Sequence, residues 1–376
     1  MPVNLKKFGG LDASLVLPGA FVAQTVTMPV GSYFQKILGC RATTALGCGI
    51  MALGVFLSSF APNLAVFMLC YSFLFGAGVG LAYTAPMVNG WKWFPDKKGL
   101  VSGAVVAGFG AGGFVFNQVG TSIINPEGFN AVGGLYPQKV YDNFPVMLRR
   151  LSYIYAVMSA IGALAIEPPP SAGVKDGKTP VKAAEGATVG EALKDKKFWM
   201  MWFMVVMIGT SGINIANNYK RFGSTVEALQ SDQFQSLVGS VAALCNGAGR
   251  LFWGNMLDMF GFRMMFGVLA TIQSATMALY TVLSQSKAGF LFGTGALLFC
   301  MGGNFAMFPA LTNKVFGGRE GAKIYGVLFS AFATASIVGA KVTSILLEVD
   351  WEWDSVFKLM ALLSVFATLV LPYFKD

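Results

Sequence analysis

Hydrophobic positions along this chain fall in long unbroken blocks, separated by short polar interruptions. They do not alternate as in a strand, and they are not confined to one face as in a soluble helix. Blocks of roughly 20 residues recur along the whole length, and each is long enough to cross a hydrocarbon core about 30 Å thick. They lie near 12–34, 42–60, 64–89, 99–124, 147–167, 198–219, 233–257, 263–284, 288–312, 323–346 and 354–374. The pattern predicts an all-α membrane protein with about eleven transmembrane helices. One interruption is longer than the rest. Pro168-Pro169-Pro170 ends the block before it, and Thr188 with Glu191 three residues later predicts a capping box for a short surface helix ahead of Phe198. This divides the chain into an N-terminal bundle of five spans (1–168), a cytoplasmic central loop (169–197) and a C-terminal bundle of six (198–376).

Basic residues sort by loop. Lys36 and Arg41, then Lys92, Lys97 and Lys98, then Lys175, Lys178, Lys182, Lys194, Lys196 and Lys197, then Arg263, then Lys314, Arg319 and Lys323 mark alternate loops. That side is cytoplasmic by the positive-inside rule, and it includes the C-terminus near Lys375. An odd number of spans puts the N-terminus outside, with no cleavable leader to carry it there. Two readings are open: eleven true spans, or twelve with the first one missing from this sequence. The five-against-six imbalance favours the second.

Composition narrows the function. The chain is 55% hydrophobic and only 12% charged, with a mean hydropathy of +0.61, against about 25% charged for a soluble domain. Its net charge of +9 follows the loops, so no nucleic-acid partner is expected. There is no histidine, which excludes imidazole metal sites, histidine triads and histidine proton relays. The five cysteines suggest no paired framework. No nucleophile elbow, metal-ligand cluster or phosphate loop is visible, so neither an enzyme nor a cofactor is expected. Gly108-x-Gly110-x-x-Gly113 matches a dinucleotide fingerprint only literally. It lies in an apolar span with no strand before it, where small residues serve close helix packing.

One charge stands out. Arg250 lies inside the seventh block, in NGAGRLFWGNMLDMFG. An arginine at the bilayer centre costs about 2.5–3.5 kcal/mol on insertion scales, so something must compensate it. A carboxylate arriving through a wet cavity is one compensation, since a guanidinium binds it bidentately. Structural pairing or snorkelling is the alternative. Asp258 lies about 12 Å along the same helix, too far for a pair within it. Other candidate lining residues are Tyr83 in the third block, Asn304, Phe305 and Phe308 in the ninth, and Phe329 and Phe332 in the tenth. Asn214, Asn217 and Asn218 line an outer vestibule or mark the interface. An internal repeat also appears, VGSYFQKILGCR after the first block and WGNMLDMFGFR after the seventh. Each places a glycine at a helix end and then an arginine, Gly39 with Arg41 and Gly261 with Arg263.

The second copy fits G-x-x-x-D-x-x-G-x-R through Gly254, Asp258, Gly261 and Arg263, and resembles the loop signature of the major facilitator superfamily. In the first copy Lys36 stands at the aspartate position. Residues 76–118, NGAGRLFWG (246–254), GGNFAMFPAL (302–311) and YGVLFSAFA (325–333) resemble the oxalate–formate antiporter family, a branch close to the monocarboxylate transporters. The resemblance implies the two-bundle fold of that superfamily, a gating role for the loop motif, and Arg250 as the substrate-binding arginine. Two departures qualify it. Asn246 stands where monocarboxylate transporters carry a proton-coupling carboxylate, which favours exchange or uniport, and Asn246 would then help orient the acid. Phe332 stands where oxalate-handling members carry a lysine, which favours a monoanion. The expected protein is a monomeric plasma-membrane carrier of a small monocarboxylate. The alternative is a non-transporting sensor, scaffold or pseudo-transporter.

Overall fold

The computed structural model describes residues 15–129, 136–167, 186–317 and 320–374. The proline run, Lys175, Lys178, Lys182, Arg319 and Lys375 lie outside them. Among the described residues the secondary structure is helical apart from one isolated bridge between Gly186 and Gly317. The helices are α1 Val16–Ser58, α2 Leu64–Trp93, α3 Lys98–Ile124, α4 Gln138–Ala165, α5 Lys196–Gly223, α6 Asp232–Phe260, α7 Phe262–Ala278, α8 Lys287–Phe316, α9 Gly321–Glu348 and α10 Trp353–Tyr373. By length and apolarity, seven helices among the described residues qualify to cross a membrane: α1, α2, α3, α5, α8, α9 and α10. Of the rest, α7 is 17 residues long, α4 carries Arg149 and Arg150, and α6 carries Arg250 and Asp258.

Two predicted boundaries shift. The first two blocks form the two helical arms of α1, joined without a loop at Gly39, whose backbone is non-helical with φ 79° and ψ 172°. A single residue in that left-handed region turns the chain without a loop, and only glycine adopts it without strain. The fifth block corresponds to α4, which begins at Gln138, nine residues before the predicted 147, because its first turns are amphipathic and escape a search for continuous apolar runs. The predicted capping box forms: Thr188 accepts from the Glu191 amide at 3.3 Å, and the Glu191 carboxylate accepts from the Thr188 amide at 2.7 Å.

The chain clusters into two compact units, Met1–Trp93 with Val115–Gly177, and Phe94–Phe114 with Lys178–Asp376. In the first unit, α1 and α2 pack backbone to backbone. A Cβ added at Gly31 would sit 2.3 Å from the Leu81 carbonyl. Thr27 donates to the Ala77 carbonyl at 3.1 Å, and Ser32 and Thr84 share a hydrogen bond at 3.1 Å. An apolar cluster of Val55, Leu64, Phe67, Met68 and Leu148 ties α4 to them.

In the second unit, α5 to α10 surround a core in which the Phe222 ring packs against those of Tyr280, Phe290 and Phe357. Asn214 is buried. Its amide donates to the Gly339 carbonyl at 3.3 Å and to Thr343, which fastens α5 to α9. Gln273 on α7 donates to the Ile208 carbonyl at 2.9 Å and to Ser364 at 3.1 Å, linking α5, α7 and α10. Where hydrocarbon surrounds a bundle, such polar contacts and close small-residue packing hold the helices together.

Candidate functional site

The site is built on α6. Arg250 is 7% exposed, the one charged side chain among the buried described residues. Glycines on three helices let the backbones close around it. A Cβ added at Gly103 of α3 would sit 2.2 Å from the Arg250 carbonyl, one at Gly110 would sit 2.4 Å from the Gly247 nitrogen, and one at Gly302 of α8 would sit 2.2 Å from the Asn246 carbonyl. The guanidinium is thereby brought within reach of backbone on α3. Its Nη1 donates to the Val106 carbonyl at 2.7 Å, and its Nε donates to Asn246 Oδ1 at 3.0 Å. Asn246 Nδ2 donates in turn to the Leu298 carbonyl at 2.9 Å, which fixes the amide's orientation.

Two rings lie against the guanidinium carbon, Phe305 at 5.0 Å and Phe109 at 5.5 Å. Such contacts stabilise a cation by about 0.5–2 kcal/mol, more as water is excluded. Phe305 is buried and stacked on Phe332, with centroids 4.5 Å apart and planes 17° apart. Phe329 continues the row at 5.1 Å from Phe332. The arrangement is a positive centre with an aromatic floor, held by neutral acceptors.

The structure therefore groups Arg250, Asn246, Phe305, Phe329 and Phe332. Phe308 reaches the group edge-on through Phe332 at 6.4 Å, while its ring also packs against Phe262 and Phe266 of α7 at 5.6 and 5.7 Å. Asn304 is on another face of α8, about 200° around the helix from Gly302. It is 2% exposed, and its Oδ1 has no hydrogen-bond partner among the described residues. Tyr83 is buried on α2, in the other unit. Sequence reasoning missed Val106 and Phe109. A backbone carbonyl leaves no residue signature, and Phe109 is one of 33 phenylalanines.

The loop motif lies toward the C-terminal end of α6. Gly254 presses on α3, where an added Cβ would sit 2.3 Å from the Gly99 carbonyl. Asp258 accepts from the Gly99 and Leu100 amides, both at 2.8 Å. These are first-turn donors of α3 that have no partner inside the helix, and a carboxylate there also meets the positive end of the helix dipole. Gly261 ends α6 with φ 80° and ψ 165°, and Arg263 is exposed. Beside them opens a cavity of about 460 Å³ lined by Asp96, Lys98, Asp258, Phe262, Leu311 and Lys314, among others. In the first copy Arg41 donates twice to the Ile166 carbonyl, at 3.1 and 2.8 Å, satisfying the end of α4.

Known proteins share this architecture. The chain is 30% identical to Apicoplast pyruvate carrier 1 of Toxoplasma gondii, over 88% of this chain and 69% of that protein. It is 28% identical to the Oxalate:formate antiporter of Oxalobacter formigenes, over 93% and 80%. Among solved structures, the Escherichia coli fucose:proton symporter superposes with a TM-score of 0.68 at 14% identity, covering 97% of this chain and 91% of that one. The proton:xylose symporter XylE gives 0.70, also at 14% identity, covering 96% and 85%. A sequence profile described as Major Facilitator Superfamily matches residues 1–220 and 222–376. Matched along nearly its whole length, the chain belongs to the major facilitator superfamily, as a multi-pass membrane protein that is a secondary transporter and not an enzyme.

Proposed function

We propose that this transporter moves a small monocarboxylate or related organic anion across the plasma membrane by alternating access, as an exchanger or uniporter. The bundles 1–168 and 198–376 are its moving halves, and it works as a monomer. The observation that carries the substrate class is the buried Arg250 guanidinium, which donates to the neutral oxygens of Asn246 and Val106 and lies against two phenylalanine rings. A carboxylate is the ligand that such a group binds most strongly, through paired charge-assisted hydrogen bonds. The pyruvate carrier and the oxalate:formate antiporter, by their names, act on small carboxylates, which agrees with this reading. Asn246 cannot hold an exchangeable proton near neutral pH, and the chain has no histidine, which supports exchange or uniport over proton symport. Phe332, where a second cation would favour a dianion, stacks on Phe305 instead.

Counterflow in proteoliposomes tests the proposal. Vesicles are preloaded with unlabelled formate, lactate, pyruvate or oxalate, and entry of the labelled acid is followed. Arg250→Gln removes the charge and the paired donors, at about 1.5–3 kcal/mol per charge-assisted hydrogen bond. The expected result is accumulation by the wild type and a loss of roughly 100-fold in the variant at unchanged thermal stability. Normal affinity in Arg250→Gln would overturn the proposal.

A further inference from the structure

The turn of α3 from Val106 to Phe109 touches the guanidinium twice, once by backbone and once by ring. Val106 and Phe109 are three residues apart and so share a face of the helix. The Val106 carbonyl is 2.7 Å from Nη1 and the Phe109 ring 5.5 Å from the guanidinium carbon. The carbonyl sits inside a regular helix, so it keeps the amide four residues on whether or not Arg250 bonds to it. It has two lone pairs, and losing the arginine orphans neither partner of the helix bond. A carboxylate offers Arg250 a stronger, charged and bidentate acceptor. The carbonyl is therefore a placeholder that an arriving acid displaces at little cost.

The two rings differ. Phe305 is 5% exposed and clamped by Phe332, while Phe109 is 49% exposed. In this conformation the backbone beneath Phe109 is held in place, because Gly103 and Gly110 on either side press against α6, where added Cβ atoms would sit at 2.2 and 2.4 Å from its backbone atoms. Any adjustment at this position comes from the ring alone. Resting on the reading of Arg250 as the carboxylate site, we propose that Phe109 is the specificity-determining residue of this carrier. It is the lid whose bulk limits the size of the group attached to the bound carboxylate, with Phe305 and Phe332 as the fixed floor.

The test measures stabilisation of the purified protein in detergent by formate, pyruvate and phenylpyruvate, for wild type, Phe109→Ala, Phe109→Leu, Phe109→Trp and Arg250→Gln. Apparent affinities come from the ligand dependence of Tm, and selectivity is the ratio between acids, which cancels any uniform loss. Phe109→Ala is expected to raise the phenylpyruvate-to-pyruvate affinity ratio about tenfold or more. Phe109→Leu is intermediate, and Phe109→Trp shifts preference toward formate. Leu and Trp retain bulk, so the series reads selectivity even if the alanine variant fails to fold. If all lid variants rank the acids as the wild type does while Arg250→Gln loses binding, this inference falls and the carboxylate reading stands. If Arg250→Gln binds all three acids normally, or the wild type binds none, both fall.

Discussion

The chain makes the same turn twice and fastens it in two different ways. At Gly39 the backbone has φ 79° and ψ 172°, and at Gly261 φ 80° and ψ 165°. Around those glycines the chemistry diverges. In the second copy Asp258 caps the first turn of α3, and Gly254 lets the two backbones touch. In the first copy Lys36 stands where Asp258 does and is exposed, and Ser32 stands where Gly254 does. Ser32 bonds to Thr84 of α2, and Arg41 takes the fastening role by holding the end of α4. The turn itself is thus a backbone property that glycine alone secures. The lock is a side-chain property that each copy fills from a different position.

Substitutions sharpen that comparison, read as Tm of the purified protein in detergent. The largest effect is expected from Gly254→Leu. A side chain cannot enter a gap where even Cβ would sit 2.3 Å from a carbonyl, and overpacking of about 3 kcal/mol or more follows. Ser32→Ala at the matching position loses a hydrogen bond at about 1 kcal/mol. Next comes Asp258→Ala, which strips two amides of a charged partner at about 2–3 kcal/mol, whereas Lys36→Ala stays within about 0.5 kcal/mol. Equal losses in that pair would break the comparison. The smallest difference between the copies is expected for Gly39→Ala and Gly261→Ala, each of which costs about 1–2 kcal/mol for the left-handed backbone. A twofold difference between those two would mean that the turns are not equivalent.

The sequence made several of these features readable. Block length gave the helices, the G-x-R spacing gave both turns, and Thr188 with Glu191 gave a cap. Arg250 stood out because a charge in an apolar run has few explanations. What stayed hidden was set by partners distant in sequence. Asp258 reads only as part of the loop signature until the helix that supplies the Gly99 and Leu100 amides is placed beside it. Asn304 and Phe305 are adjacent in sequence, yet only Phe305 meets the guanidinium, because neighbouring positions on a helix point about 100° apart. The tightness of the turn between the first two blocks was concealed by Lys36 and Arg41, which read as a loop but lie on either side of the single non-helical residue Gly39.

The stretch entering α5 has a consequence for anyone who grafts onto this protein. The Ala187 amide donates to the Phe316 carbonyl at 2.8 Å, the Val189 amide donates to Glu320 at 3.0 Å, and Gly186 pairs with Gly317. These contacts sew the stretch of chain before α5 to the end of α8 and to Glu320 at the start of α9. A fluorescent reporter or protease site inserted after Gly186 would tug on both helix ends. The residues from Gly186 to Val189 are therefore intolerant ground for engineering this carrier, because they bind the entry of α5 to the end of α8 and to Glu320.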